Sequence, residues 1–180
     1  MVRIAEVKQQ ITIPEGVTAT IKNDILTITG QKGEILRAFS HPKINLKVSD
    51  KVIEIHCKNV RRKEKALIGT FVAHIKNMIK GVTKGFEYKM KTVFSHFPIK
   101  TSVDKNEFII QNFLGERSAR RAKILDGVIV EVKGDEIIIR GTDKERVGQT
   151  TANIERAALV KKRDIRVFQD GIYRISKGGR

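Results

Sequence analysis

A chain of 180 residues with 36 Lys and Arg against 20 Asp and Glu carries a formal net charge of +16, one unbalanced positive charge for roughly every eleven residues. Its apolar content of 40% supports packed cores and excludes wholesale disorder. The longest uncharged stretch near the middle, residues 66–75, is about half of the roughly 20 apolar residues that a membrane-spanning helix requires, so no transmembrane helix fits.

The first residues, Met1 to Lys8, interrupt their apolar side chains with charges and never build the apolar segment of a secretory signal. The single cysteine, Cys57, can form neither an internal disulfide nor a multi-cysteine zinc site. Both features suit a protein kept in the reducing interior of the cell. A charge of +16 repels itself unless a polyanion neutralises it, which points to nucleic acid first and an anionic membrane surface second.

Taken in chain order, the first half alternates. Val17, Ala19 and Ile21 alternate with Thr18, Thr20 and Lys22; Asn23-Asp24 then turns the chain into Leu26 to Thr29 and a corner at Gly30-Gln31-Lys32-Gly33. A second hairpin runs from Ile44, Leu46 and Val48 through Ser49-Asp50-Lys51 into Val52 to Cys57. Period two gives each sheet one apolar face to bury. At residue 64 the period lengthens: Ile68, Phe71, Val72, Ile75, Met78 and Ile79 fall on one helical face, with Gly81 as the expected stop.

The second half repeats this grammar. Phe108-Ile109-Ile110 matches Leu26-Thr27-Ile28 at an offset of 82, the Val128 to Ile139 hairpin matches the second hairpin at 84, and Val147-Gly148 matches Ile68-Gly69 at 79. Three markers in one order indicate duplication. A closer local match, Gly16–Gly30 against Gly127–Gly141, is a resemblance between hairpins rather than the repeat. Thr142 with Glu145 has capping-box spacing for the second helix, whose apolar positions are Val147, Thr151, Ile154 and Ala158. The expected fold is α+β, two similar domains, each a mainly antiparallel sheet against a helix, spanning 1–82 and 83–180 with a linker near Gly81 to Gly85.

No catalytic spacing stands out. His41, His56, His74 and His96 are scattered, Cys57 shares a strand face with Ile53 and Ile55, and Gly30-Gln31-Lys32-Gly33 joins strands rather than the helices of a KH motif. The signal lies in three basic clusters. Arg61 and Arg62 lie in the first, from Lys58 to Lys65; Arg120 and Arg121 in the second, with Arg117 and Lys123; Lys161, Lys162, Arg163 and Arg166 in the third, which continues through Tyr173 and Arg174 to Lys177 and Arg180. The last interleaves cations with Phe168 and Tyr173, suited to phosphates and to packing on a sugar or base. Only 6% of the residues are aromatic, which favours recognition of the backbone and shape of a folded RNA over stacking of single-stranded bases. The alternatives are a non-ribosomal basic RNA-binding module and a basic enzyme acting on nucleic acid.

Several strings resemble a known family. Asn77 to Phe86, His96-Phe97-Pro98, Asn112 to Glu116, and Asp164-Ile165-Arg166 with Phe168 and Asp170-Gly171-Ile172-Tyr173 are similar to large ribosomal subunit protein six in its eukaryotic and archaeal form, protein nine in the older eukaryotic scheme. The resemblance spans essentially the whole chain. It implies two duplicated α+β domains and a structural constituent of the large subunit, not an enzyme. It also implies binding to large-subunit ribosomal RNA, mainly by the C-terminal domain and a basic tail, near the sarcin-ricin loop and the platform of the translational GTPases. Neighbouring proteins near the stalk base are implied partners, and no membrane, small-molecule substrate, metal or cofactor is. Arg163, Arg166, Tyr173 and Lys177 match the family's RNA-facing signature by position; Arg156 and Arg174 replace a Gln and an aliphatic residue of the pattern, and both add charge.

Overall fold

The computed structural model describes residues 4–49 and 51–178. They fall into two compact units, Met1–Lys84 and Gly85–Arg180.

In unit 1, strands β1 (Ile4–Thr12), β5 (Ile44–Val48) and β6 (Val52–Val60) form an antiparallel sheet in the order β1-β6-β5, and β2 (Thr18–Lys22), β3 (Ile25–Gly30) and β4 (Gly33–Ala38) form a second in the order β2-β3-β4. Asn23 and Asp24 both have positive φ, 49° and 60°, the conformation of a two-residue turn whose twist matches its strands. Leu26, Ile28, Ile53, Ile55 and Cys57 are fully buried against helix α1 (Arg62–Thr83), which contributes Ile68, Phe71, Ile75 and Val82. Burial also pushes the Cys57 thiol pKa up, so this cysteine is a core residue.

Two expectations change at the end of α1. Gly81 does not stop the helix; it is buried within it, and the expected break after residue 82 falls inside the last turn. The chain leaves the helical conformation at Gly85, whose φ of 76° is the left-handed form that glycine adopts without steric cost. β7 starts at the next residue, so little linker remains. The Gly30–Gly33 corner docks on this same helix end: the Lys32 backbone N–H donates to the Val82 carbonyl at 3.0 Å, and a Cβ at Gly30 would lie 2.8 Å from the Val82 side chain. That glycine pair is a structural turn.

Unit 2 repeats the plan. Strands β7 (Phe86–Val93), β11 (Val128–Lys133) and β12 (Glu136–Gly141) correspond to β1, β5 and β6, while β8 (Lys100–Asp104), β9 (Glu107–Gln111) and β10 (Arg120–Lys123) form the smaller sheet. Helix α2 (Lys144–Ala157) buries Val147, Thr151 and Ile154 as expected, and Thr150 as well. Its N-cap is Asp143 rather than Thr142: the Asp143 carboxylate accepts from the Glu145 backbone N–H at 2.8 Å. The larger correction concerns the C-terminus. Residues 171–177 are not a tail but a strand, β13 (Gly171–Lys177), which completes the sheet β11-β12-β7-β13 and buries Ile172 to 1% exposure.

Candidate nucleic-acid interface

The third basic cluster occupies the turn between α2 and β13, and one acidic residue organises it. The Asp164 carboxylate accepts from the backbone N–H of Arg166 at 2.9 Å and from its guanidinium at 3.1 and 3.2 Å, while the Asp164 carbonyl accepts from the backbones of Val167 and Phe168. The side-chain and backbone donors of Arg166 hold this carboxyl below its usual range. Lys162 adopts a left-handed φ of 57°, and the Arg163 guanidinium lies 4.9 Å over the Phe168 ring, whose other contacts are with the unit 2 core.

The far end of the turn is pinned equally firmly. Asp170, only 4% exposed, accepts from the backbone N–H and hydroxyl of Ser95, and the Tyr173 hydroxyl donates to the Gln169 carbonyl at 2.9 Å. The result is a braced loop that presents Lys161, Lys162, Arg163 and Arg166 to solvent, beside exposed Leu159, Ile165 and Val167.

β13 extends this surface. Tyr173, Arg174 and Lys177 are exposed, and Tyr173 pairs with Lys91 of β7, so the two share a sheet face. Lys89 and Lys91 belong to none of the three basic clusters of the sequence. The buried alternation of Phe86, Tyr88, Met90 and Thr92 leaves both lysines exposed on the opposite face. Arg180 lies outside the described residues.

The second cluster splits. Arg121 is exposed and pairs across β9 and β10 with Glu107 at 3.1 Å. Arg120, expected to face RNA, is turned inward. Its guanidinium donates to both Glu116 oxygens at 2.8 and 2.6 Å and to the carbonyls of Ala157 and Leu159 at 3.0 and 2.7 Å, and it stacks 4.1 Å above the buried Phe113 ring. The Asn112 to Glu116 string is what makes this possible: Asn112 and Leu114 take left-handed conformations, so that Phe113 is buried beneath Arg120 while Glu116 turns back to meet it. Arg120 therefore ties the β9–β10 loop to the end of α2, close enough for Arg163 and Lys161 to contribute to the lowered Glu116 pKa, after the hydrogen bond from Arg120 itself. Truncation to Ala should cost unit 2 about 2–3 kcal/mol, since a charged network loses its centre, and should leave the salt dependence of RNA binding unchanged. Urea unfolding and binding titrations on the same variant check both halves of this expectation.

Arg61 and Arg62, with Lys58, are exposed at the start of α1 in unit 1. Among the described residues no three His, Cys, Asp or Glu side chains are grouped to hold a metal, and no helix is long and apolar enough to cross a membrane.

Fold and surface together define a tandem-duplicated basic α+β protein whose second copy carries a braced cationic loop. The family described as Ribosomal protein L6 matches residues 13–85 and 97–171, one stretch in each unit. Three archaeal relatives, each named large ribosomal subunit protein uL6, align along nearly all of both chains. The protein of Methanobrevibacter smithii is 50% identical over 177 residues, 98% of this chain and 99% of the relative. Those of Methanothrix thermoacetophila and Methanosarcina mazei are 49% and 44% identical over 174 residues, 97% of this chain and 99% of each relative. The chain belongs to the ribosomal protein L6 family, a family of structural ribosomal proteins rather than enzymes.

Proposed function

We propose that this protein is a structural constituent of the large ribosomal subunit in the cytoplasm and binds large-subunit ribosomal RNA near the sarcin-ricin loop and the translation-factor platform. Neighbouring proteins near the stalk base, and translational GTPases in passing, are its further partners there. The observation that carries the RNA contact is the braced loop: Lys161, Lys162 and Arg163 are exposed cations beside a turn held by the Asp164 hydrogen bonds, and Arg163 is further held over the Phe168 ring. Preorganised cations bind a phosphate backbone without first losing side-chain and loop freedom. The exposed Tyr173 ring and the Lys89 and Lys91 row offer packing and charge on the adjacent sheet face.

The mechanism makes separable demands on salt and on packing. Each phosphate neutralised by Lys or Arg releases condensed counterions, so changing Lys162 and Arg163 together to Gln should reduce the log-log salt slope by about two. Arg166 should contribute less, because Asp164 already neutralises it. Tyr173→Ala should leave the slope unchanged and cost about 1–3 kcal/mol of affinity through lost packing beyond the effect of Tyr173→Phe, which removes only the hydroxyl brace to Gln169. Titrations with a large-subunit RNA fragment at several salt concentrations measure all three. A slope unmoved by the double substitution sends the site to Arg61-Arg62 or Arg121. Sedimentation with large subunits through high salt tests the ribosomal placement: protein left at the top of the gradient is a free RNA-binding module instead.

A further inference from the structure

The two units share a plan except for one strand, and that difference marks a surface on unit 1. In unit 1, Val7, Gln9 and Ile11 of β1 lie opposite Cys57, Ile55 and Ile53; in unit 2, Phe86, Tyr88 and Met90 of β7 lie opposite Gly141, Ile139 and Ile137. Superposing these ladders sets Ile11 at the place of Met90, an offset of 79. The helices match at the same offset, with Ile75 at the place of Ile154 and Ile79 at that of Ala158. On the far side of β7 runs β13, where Ile172 pairs with Thr92 and is buried in the cluster that contains Met90 and Ala158.

β1 has no such neighbour. It is the edge of its sheet, and among the described residues no strand pairs with it on the side away from β6. Along this edge, against the last turns of α1, lies an open groove of about 630 Å³ lined by Ile11, Pro14 and Ile79 and by three lysines, Lys76, Lys80 and Lys84. Ile11, 5% exposed, and the half-buried Ile79 stand at the places of Met90 and Ala158, which share a buried cluster with Ile172 in the other copy. The geometry points to a docking site for an extended segment of a partner protein, which adds to β1 as β13 adds to β7, seats an aliphatic side chain on Ile11 and Ile79, and directs carboxylates to Lys76, Lys80 and Lys84.

The chemistry of the occupant follows from three features. A strand edge presents unpaired backbone donors and acceptors, which another strand satisfies in register. The apolar floor asks for an aliphatic side chain, as Ile172 shows in unit 2. The three lysines ask for acidic residues, whereas the matching positions in unit 2 are Glu155, Leu159 and Arg163, a mixed set. A second copy of β13, with Arg174 and Lys177, is repelled by the lysines. A phosphate backbone answers the lysines but leaves the strand edge and the apolar floor unmatched. This site is on unit 1 and stands independently of the RNA contact proposed for unit 2.

The test uses the isotopically labelled full chain and a synthetic peptide copying residues 168–177 with Arg174→Glu and Lys177→Glu. Binding should shift backbone amide signals of Gln10, Ile11 and Thr12 and of Ile79 and Lys80. Replacing the peptide's Ile172 by Asn, or reversing the exposed Lys76 and the half-buried Lys80 in the protein (Lys76→Glu with Lys80→Glu), should each weaken binding about tenfold or more, the loss of one apolar anchor or of the complementary charge. Equal binding of the unaltered cationic peptide overturns the charge argument and with it the proposal. So do shifts confined to β7, which mean that the peptide merely displaces β13, and so does the absence of any shift. A 12-nucleotide oligouridylate that moves the β1 amides when the peptide does not makes the groove an RNA seat and also overturns it.

Discussion

Truncation before Lys161 is expected to unfold the second unit, not merely to strip it of an RNA contact. The segment so removed includes Ile172 at 1% exposure and Asp170 at 4%, together with the whole of β13, which pairs with β7 from Gly171 to Lys177. Burial of Ile172 alone is worth about 1.5–3 kcal/mol. Adding the ladder to β7, the Phe168 contacts and the Asp170–Ser95 hydrogen bonds brings the loss close to the whole stability of a small domain, about 5–15 kcal/mol. Calorimetry of the full chain and of the truncated protein should show a cooperative transition lost from unit 2 while unit 1 still melts. Two intact transitions in the truncated protein would return residues 161–180 to the status of an appended tail. Failure of such a truncation to enter subunits would then be uninformative about RNA contacts, which is why the binding test rests on point substitutions in exposed side chains.

Phe71→Ala should strongly destabilise unit 1. The ring is 9% exposed and meets Phe39 edge to face, with centroids 5.0 Å apart at an interplanar angle of 76°. It links α1 to the loop after β4, where the Phe39 backbone N–H donates to the Asp24 carbonyl. Removing it leaves a cavity between helix and sheet and forfeits an aromatic pair, a cost of about 3–5 kcal/mol. Hydrogen exchange in the full chain should report it as lost protection throughout β3, β6 and α1, with unit 2 unchanged. A change confined to the Phe39 loop would mean that the ring packs locally and does not hold the core together.

Much of this architecture was legible because periodicity survives wherever one face is buried. The hairpins β2–β3, β5–β6 and β11–β12, both helices and the duplication all announce themselves through alternating or helical apolar residues. The strands that escaped, β1, β4, β7, β8, β10 and β13, interleave apolar residues with charged and polar ones over short runs, and all of them but β7 lie at sheet edges. Helix ends were read less well than helix faces: Gly81 and Thr142 are residues of the right type one or a few positions from the true boundaries at Gly85 and Asp143. In the candidate site, the exposed cations of the 161–166 loop were legible as a run. Arg120 was not, because its neighbours in sequence are basic while its partners, Glu116, Phe113 and the carbonyls of Ala157 and Leu159, are assembled by the fold. Charge in a sequence counts cations; only packing tells which are already engaged.

The placement of β13 also sets the order in which the protein can be finished during synthesis. Val93 near the start of unit 2 pairs with Gly171, 78 positions later. A growing polypeptide can therefore close unit 1 once residue 84 has emerged, whereas unit 2 keeps an open sheet until residues 171–177 have emerged as well. Domains that fold as units do so in the order of their synthesis. Here the cationic loop between α2 and β13 takes its shape last, because the strand that holds one end of it is the last element of unit 2 to appear. A nascent chain thus exposes the cations of the 161–166 loop before their bracing is complete, and the loop reaches its final shape only when β13 has paired with β7.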